Sequence, residues 1–141
     1  MNKEFFNITV GRKDTRECTV KNFIVLDRYK IEKISRNELL SDEMEEYEDK
    51  ERCIDLKVNQ YFNNKASRRI YVTWMDDGGR FLNCISLVHL LLSRQKNTMN
   101  VYLRSIDAKR LKSDLTFLCR MAIKYNIDIL QVMIGSLHSY I

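Results

Sequence analysis

Cys84 and Arg104 lie in a stretch that reads as a β-hairpin, and together they form a pair that can do chemistry. A nearly continuous apolar run, Cys84 to Ser93, is followed by a polar loop around Arg94 to Thr98 and then by Met99 to Leu103. Two such runs about a short polar loop predict paired, buried strands. Helix is the rival for the first run, because Leu87, Leu90 and Leu91 also fit its period. Folding the hairpin about Arg94 makes facing residue numbers sum to about 188, which sets Cys84 opposite Arg104. A slip of one residue would turn one partner to the opposite face. A thiol facing a guanidinium has its thiolate favoured, and the thiolate is the nucleophile. Standing alone, a cysteine in an apolar run reads as a buried structural residue; the residues around Cys84 point elsewhere.

Arg104-Ser105-Ile106-Asp107 follows the strand Met99 to Leu103, so an arginine, a hydroxyl and backbone N–H groups are expected to gather at a strand end. Such a cluster suits a phosphate, with the guanidinium donating two parallel hydrogen bonds. Arg68 and Arg69 precede another strand-like segment and can add charge to the same anion. His138 and Tyr140 alternate at the end of the last strand. That spacing puts them on one face, as a donor-acceptor pair able to grip a sugar hydroxyl. Each arginine taken singly reads as surface decoration, and the His138-Tyr140 pair as a fraying terminus.

Three segments resemble the thymidylate synthase and deoxycytidylate hydroxymethylase superfamily. Ser67-Arg68-Arg69-Ile70-Tyr71-Val72, with Trp74 just after, is similar to the family segment that sends two arginines into the partner subunit's phosphate site. Cys84, followed by Arg104-Ser105 and Asp107, has the spacing of the family nucleophile and its Arg-Ser-x-Asp motif. Gly135-Ser136-Leu137-His138-Ser139-Tyr140 is similar to the Gly-x-x-His-x-Tyr segment that binds the deoxyribose 3′-hydroxyl. The resemblance is confined to about residues 67–141, and residues 1–66 diverge. Three motifs in the right order are more specific than any one of them.

The resemblance implies an α+β fold, a mixed sheet with packed helices, and a homodimer. It also implies a pyrimidine deoxynucleoside monophosphate as ligand, dUMP or dCMP. Cys84 would add to C6 of the base, activating C5 toward a one-carbon unit from methylenetetrahydrofolate. Arg104 and Ser105 would hold the phosphate, Arg68 and Arg69 would reach across the dimer, Asp107 would lie beside the base, and His138 and Tyr140 would fix the sugar. Binding phosphate and sugar in this way positions C6 against sulfur and makes the step nearly unimolecular.

The sequence departs from the family at several points. Asn83-Cys84-Ile85 stands where the family has Pro-Cys-His. Leu115 occupies the register of the base-reading Asn, with Asp114 one place early; Asp114 in that role would favour cytosine. Residues Met1 to Lys65 hold no counterpart of the N-terminal arginine loop or the folate-side glutamate. The sequence stops at Tyr140-Ile141, where the segment that closes over folate would follow. Two functions therefore remain open: a small C5 transferase, or a relative without turnover that binds nucleotide or protein as a sensor, sequestering protein or inhibitor. A third, nucleic-acid binding through Lys109, Arg110 and Lys112, finds no helix-turn-helix, RRM or zinc-finger pattern in its favour.

The elements that must position these residues follow from the rest of the chain. Its 141 residues predict one domain. A net charge of +5 suits a partner bearing phosphate. No apolar run reaches the length of a membrane span, and the polar start, Met1 to Val10, is unlike a signal peptide, so a cytoplasmic location is expected. Four cysteines without a CxxC pair, and two histidines, support neither zinc nor a disulfide framework. Phe5 to Val10 and Phe23 to Arg28 lean to strand. Ser35 with Glu38 fits a capping box opening a helix through Asp42 to Asp49, with Glu43, Glu45, Glu46 and Glu48 as its solvated face. Ile54 to Phe62 is ambiguous and is assigned to helix. Asn63 to Lys65 reads as loop, Ile70 to Trp74 as strand, and Asp76 to Gly79 as turn. Ser113 is expected to cap a helix with Asp114 in its first turn and Leu115, Leu118, Cys119 and Ala122 as its apolar stripe. Ile127 to Ile134 closes the chain as a strand.

Overall fold

The computed structural model describes residues 17–18, 22–64, 69–74 and 85–138. The expected strand at Phe5 to Val10, the turn at Asp76 to Gly79, and the residues Arg68, Cys84 and Tyr140 lie outside the described residues.

The described part is α+β, as expected. Its strands are β1 (Glu17–Cys18), β2 (Asn22–Asp27), β3 (Arg69–Thr73), β4 (Ile85–Leu91), β5 (Thr98–Asp107) and β6 (Ile129–His138). Its α-helices are α1 (Arg28–Ser35), α2 (Met44–Asn64) and α3 (Ala108–Lys124), with a 3-10 turn at Ser41–Glu43 before α2. The sheet runs β1-β6-β5-β4-β3, with β2 also pairing β6. All pairings are antiparallel except β5 with β6, which is parallel, with α3 as the crossover between them. A parallel pair needs such a crossover, because a tight turn can only reverse the chain.

Alternation makes the two sheet faces different. Ile24 and Leu26 of β2, Ile70 and Val72 of β3, Met99, Val101 and Leu103 of β5, and Leu130, Val132 and Ile134 of β6 are buried beneath the helices. Their neighbours Phe23, Val25, Tyr71 and Met133 are about half exposed on the other side, at 52%, 49%, 52% and 51%. No described helix covers that second face.

The helices differ from the sequence-based boundaries for identifiable reasons. Asp27, at the end of β2, caps α1 by accepting the Lys30 N–H at 2.9 Å. Ser35 therefore ends a helix instead of opening one, and its hydroxyl donates back to the Glu32 carbonyl. Helix α2 covers Ile54 to Phe62, as assigned, and continues through Asn63 and Asn64, which were expected in a loop. Its buried stripe is Tyr47, Lys50, Ile54 and Val58. Glu45 and Glu48 are exposed as expected, but Glu43 and Glu46 are half-buried and paired.

Helix α3 begins at Ala108, not at Ser113, so Ser113 and Asp114 sit in its middle, both buried. The expected stripe Leu115, Leu118, Cys119 and Ala122 is buried, and so are Leu111, Phe117 and Met121. This helix is enclosed almost all round, between the sheet and the other helices. It closes with the Ile127 N–H on the Ala122 carbonyl at 2.8 Å and the Asn126 N–H on the Ile123 carbonyl at 3.1 Å. Asn126 takes φ 56° there, the left-handed turn of a Schellman motif that asparagine tolerates.

Candidate functional site

Arg104 to Asp107 was expected just beyond a strand; β5 instead continues through all four residues. The second parallel strand, β6, provides the reason: Leu103 pairs Ile134, Ser105 pairs Ser136, Ile106 pairs Leu137 and Asp107 pairs His138. Two segments more than twenty residues apart in sequence thus run side by side, in register, as far as Asp107 and His138. Arg104 is exposed on β5. Asp107 and His138 are partners at the strand ends.

Gly135 lies between these pairs, and the packing there accepts no side chain. A Cβ at this position would stand 2.5 Å from the Arg104 carbonyl oxygen and 2.9 Å from the Tyr102 hydroxyl. The glycine lets β6 approach β5 at the point where Arg104 emerges, which is one of the recognised uses of glycine in a strand.

The β4–β5 hairpin brings a third segment to the same end. Its pairs sum to 189 from Leu91↔Thr98 to Leu87↔Tyr102, then shift across an irregularity to Ile85↔Leu103, which sums to 188. The expected register therefore holds at the pair next to Arg104. A bulge that re-aims a strand end is a common device beside functional sites. Cys84, one residue further, is outside the described residues.

Two expected site residues stand elsewhere. Arg69 opens β3 opposite Leu91, whose other partner is Thr98. Thr98 and Arg104 lie at opposite ends of β5, about 20 Å apart at strand rise. Arg69 thus belongs to the far end of the sheet within one chain. Asp114 is only 1% exposed, closed in between α3 and α2. In this arrangement its carboxylate has no open path to a nucleotide base.

Asp114 instead anchors a polar network that the sequence reading did not foresee. The Tyr47 hydroxyl donates to Asp114 Oδ1 at 2.6 Å. It lies 2.8 Å from Ser113 Oγ, which in turn accepts the Leu40 N–H at 2.9 Å. One consistent proton order runs from Leu40 N–H through the Ser113 and Tyr47 hydroxyls to the carboxylate. Arg110 Nη2 donates to Glu46 at 2.6 Å and lies 3.1 Å from Glu43. Its Nε is 3.9 Å from Asp114 Oδ1. Arg110, expected in a basic patch, is thereby drawn into an acidic cluster.

Burial drives the Asp114 carboxyl up to about 6, although the Tyr47 hydrogen bond and the Arg110 charge oppose it. Burial also raises the Tyr47 phenol, helped by the adjacent Asp114 charge. Burial alone would raise Glu46. The hydrogen bond with Glu43 and the charges of Arg110 and Lys50 outweigh it and hold Glu46 below its ordinary value. Glu43 goes the other way, chiefly through that same hydrogen bond and then through burial. The sequence offered faint signals of this network, Glu46 with Lys50 and Arg110 with Asp114, each four residues apart. Tyr47 gave none.

Beside the network, a cleft of about 600 Å³ is lined by Glu43, Glu46, Asp49, Lys50, Cys53 and Trp74, among others. The Lys50 ammonium sits 4.4 Å from the Trp74 ring centre and 3.8 Å from Glu46. Among the described residues, Cys53 is an exposed free thiol and Cys119 a buried one. Burial pushes the Cys119 thiol up to about 12, which removes it as a nucleophile at neutral pH. No group of three or more His, Cys, Asp or Glu able to hold a metal ion is found among the described residues. None of their helices is long and apolar enough to cross a membrane.

No family model and no curated protein matches this chain.

Proposed function

We propose that the chain binds a pyrimidine deoxynucleoside monophosphate at the common end of β4, β5 and β6, in the manner of the thymidylate synthase family. The single observation that carries this reading is the parallel pairing of β5 with β6, which sets Arg104-Ser105-x-Asp107 in register against Gly135-x-x-His138. Phosphate-binding and sugar-binding motifs have to lie side by side if one small ligand is to touch both. Nothing in their sequence spacing alone requires that they do.

Arg104 is exposed, and a guanidinium recognises phosphate by paired hydrogen bonds. Asp107 and His138 border the base and sugar, with Tyr140 two residues beyond. The Cys84 thiolate adds to C6 of the pyrimidine: an S–C6 bond forms and C5 takes up a proton. Reversal of the adduct releases a proton from C5 and restores the base. This exchange needs no second substrate. A one-carbon donor of the methylenetetrahydrofolate class would turn the exchange into a transfer. The half-buried carboxylates by the cleft, Glu43 and Glu46, are both paired with Arg110, so they do not fit a role in holding such a donor.

A second copy of the chain belongs to the same reading. The uncovered sheet face carries Phe23, Val25, Tyr71 and Met133 half exposed. Five strands across at the usual spacing, and five to ten residues along, give a face of about 400–800 Å², at its upper end the area that a stable dimer buries per partner. Because Arg69 lies at the far end of the sheet from Arg104, the expected role of Arg68 and Arg69 is one played in the partner's site.

The test is tritium release from C5-labelled dUMP and dCMP. Release from the wild type, abolished in Cys84→Ala with nucleotide binding retained, supports the adduct. Tight binding with no release in the wild type supports the relative without turnover. Arg104→Ala should weaken monophosphate binding by tenfold or more, at about 1.4 kcal/mol per tenfold, with little change for the nucleoside. Equal losses for both ligands would remove Arg104 from the phosphate.

A further inference from the structure

Charges are matched on one part of the surface and unmatched on another. Around α2 the acids have cations beside them: Lys50 and Arg110 with Glu46, Arg52 with Asp49, and Lys124 with Glu51 and Asp55. On α1 the balance differs. Lys30, Lys33 and Arg36 are exposed, and their side chains take part in no hydrogen bond or ion pair among the described residues. Glu32, the carboxylate within that helix, is held by Arg28 at 3.2 Å. Asp27 caps the helix, and Glu38 lies beyond its end.

At 3.6 residues per turn, Tyr29, Lys33 and Arg36 fall within about 60° of one another, on the side away from buried Ile31. Lys30 borders the same stripe. Tyr29 is 72% exposed, more than any other large apolar residue described. Arg120 reaches over from α3, donating to the Ser35 carbonyl at 3.1 Å and the Asn37 carbonyl at 2.6 Å. It thereby brings a further positive charge beside Arg36.

We propose that the outer face of α1 docks a single-stranded polynucleotide, with phosphates on Lys30, Lys33 and Arg36 and a base stacked on Tyr29. This surface is separate from the proposed nucleotide site. Helix α1 follows Asp27, which pairs Ile129, and Ile129 pairs Thr98, at the opposite end of β5 from Arg104. It is also distinct from Lys109, Arg110 and Lys112, among which Arg110 is committed to Glu43 and Glu46.

The two residue types together select the partner. Lysine and arginine attract any polyanion, and a net charge of +5 adds to that. An exposed ring amid cations selects further, because every base has a π-face to stack, whereas an acidic peptide brings carboxylates alone. A lipid surface would require several apolar residues along the stripe, and Tyr29 is the only one there. Helix geometry accounts for Lys33 by itself, since a cation in the last turn complements the dipole. It accounts neither for Lys30 in the first turn, where the dipole opposes a cation, nor for a tyrosine left in water. The stripe is about 10 Å long at helical rise, room for a few phosphates, so binding is weak and salt-sensitive.

The experiment is fluorescence anisotropy of labelled oligothymidylate and oligouridylate, about 20 nucleotides long, titrated with the full chain at about 20 to 200 mM salt. The expected result is binding at low salt with a log–log salt slope of about −2, as three phosphate contacts on a single strand give. Binding of either strand in this way supports the proposal, and the tighter of the two identifies the sugar. Lys33→Glu and Arg36→Glu should each weaken binding about fivefold or more, and Tyr29→Ala by a similar factor. Lys57→Glu, an equal change of charge on the exposed side of α2, should change it less than about twofold. Circular dichroism checks that each variant is folded.

A loss in Lys57→Glu equal to that in Lys33→Glu would trace binding to net charge and overturn the surface. An unchanged Tyr29→Ala, or displacement by polyglutamate at matched charge, would make the stripe a dock for acidic peptide and overturn the polynucleotide. Displacement by excess dUMP would move the strand to Arg104, overturning the separate surface while leaving the nucleotide reading intact. Absence of binding at low salt overturns the proposal outright.

Discussion

The two faces of the sheet are built from the same strands, one residue out of step, and they are finished to different degrees. Under the helices, the described apolar side chains are closed in, and the polar groups there form a network around Arg110 and Asp114. On the far side, four large apolar residues remain about half exposed and the central row holds an imidazole and two amides. Among the described residues, one face is covered within the chain and the other is not. The contrast shows where stability and where association should reside.

The sharpest separation of the faces is a pair of truncations. Leu118, wholly buried, should cost about 2–5 kcal/mol when changed to Ala, through lost transfer energy and the cavity left behind. Phe23→Ala, from the open face, should change the unfolding free energy of the separated chain by less than about 1 kcal/mol. Urea unfolding at a concentration where the chain is monomeric measures both. Equal losses would mean that the second face is already covered.

Next in size is the pH dependence carried by Asp114. Its folded pKa, about 6, is raised above the ordinary value of 3.8. The folded state then holds the proton more tightly than the unfolded one. The stability gained from protonation is full below the unfolded value and is lost as pH rises through about 6. On lowering the pH from neutral to about 4, wild type should gain up to about 3 kcal/mol relative to Asp114→Asn. Glu46, held below its ordinary value, contributes the opposite trend in both proteins. Parallel unfolding curves at all pH values would show that Asp114 is not held as a buried carboxylate.

Smaller again is Gly135→Ala, which tests the stretch of sheet shared by the proposed nucleotide-binding motifs. With a backbone oxygen 2.5 Å from the added carbon, β6 must move, at about 1–3 kcal/mol. Monophosphate binding should fall more than stability does, because the displacement is at Arg104. A variant with altered stability but unchanged binding would detach the site from this end of the sheet.

Composition and alternation were enough to determine the α+β class, the β4–β5 hairpin, the strands β2, β3 and β6, and the apolar stripe of α3. These depend on period, and period is a property of neighbouring residues. The segments around Arg104 and His138 were legible as motifs, which made them candidates for phosphate and sugar. Element boundaries were less legible. Ser35 and Ser113 each match a cap motif, yet Asp27 caps the first helix and α3 starts well before Ser113. A local motif does not say whether another residue has already done its work.

Only the tertiary structure decided that β5 and β6 run parallel and in register, that Arg69 lies far from Arg104 within one chain, and that Asp114 turns inward to Tyr47. Each joins residues separated by tens of positions, through a crossover helix or a packing interface. Their proximity follows from the arrangement of whole elements around one core, for which no short window of sequence carries the information.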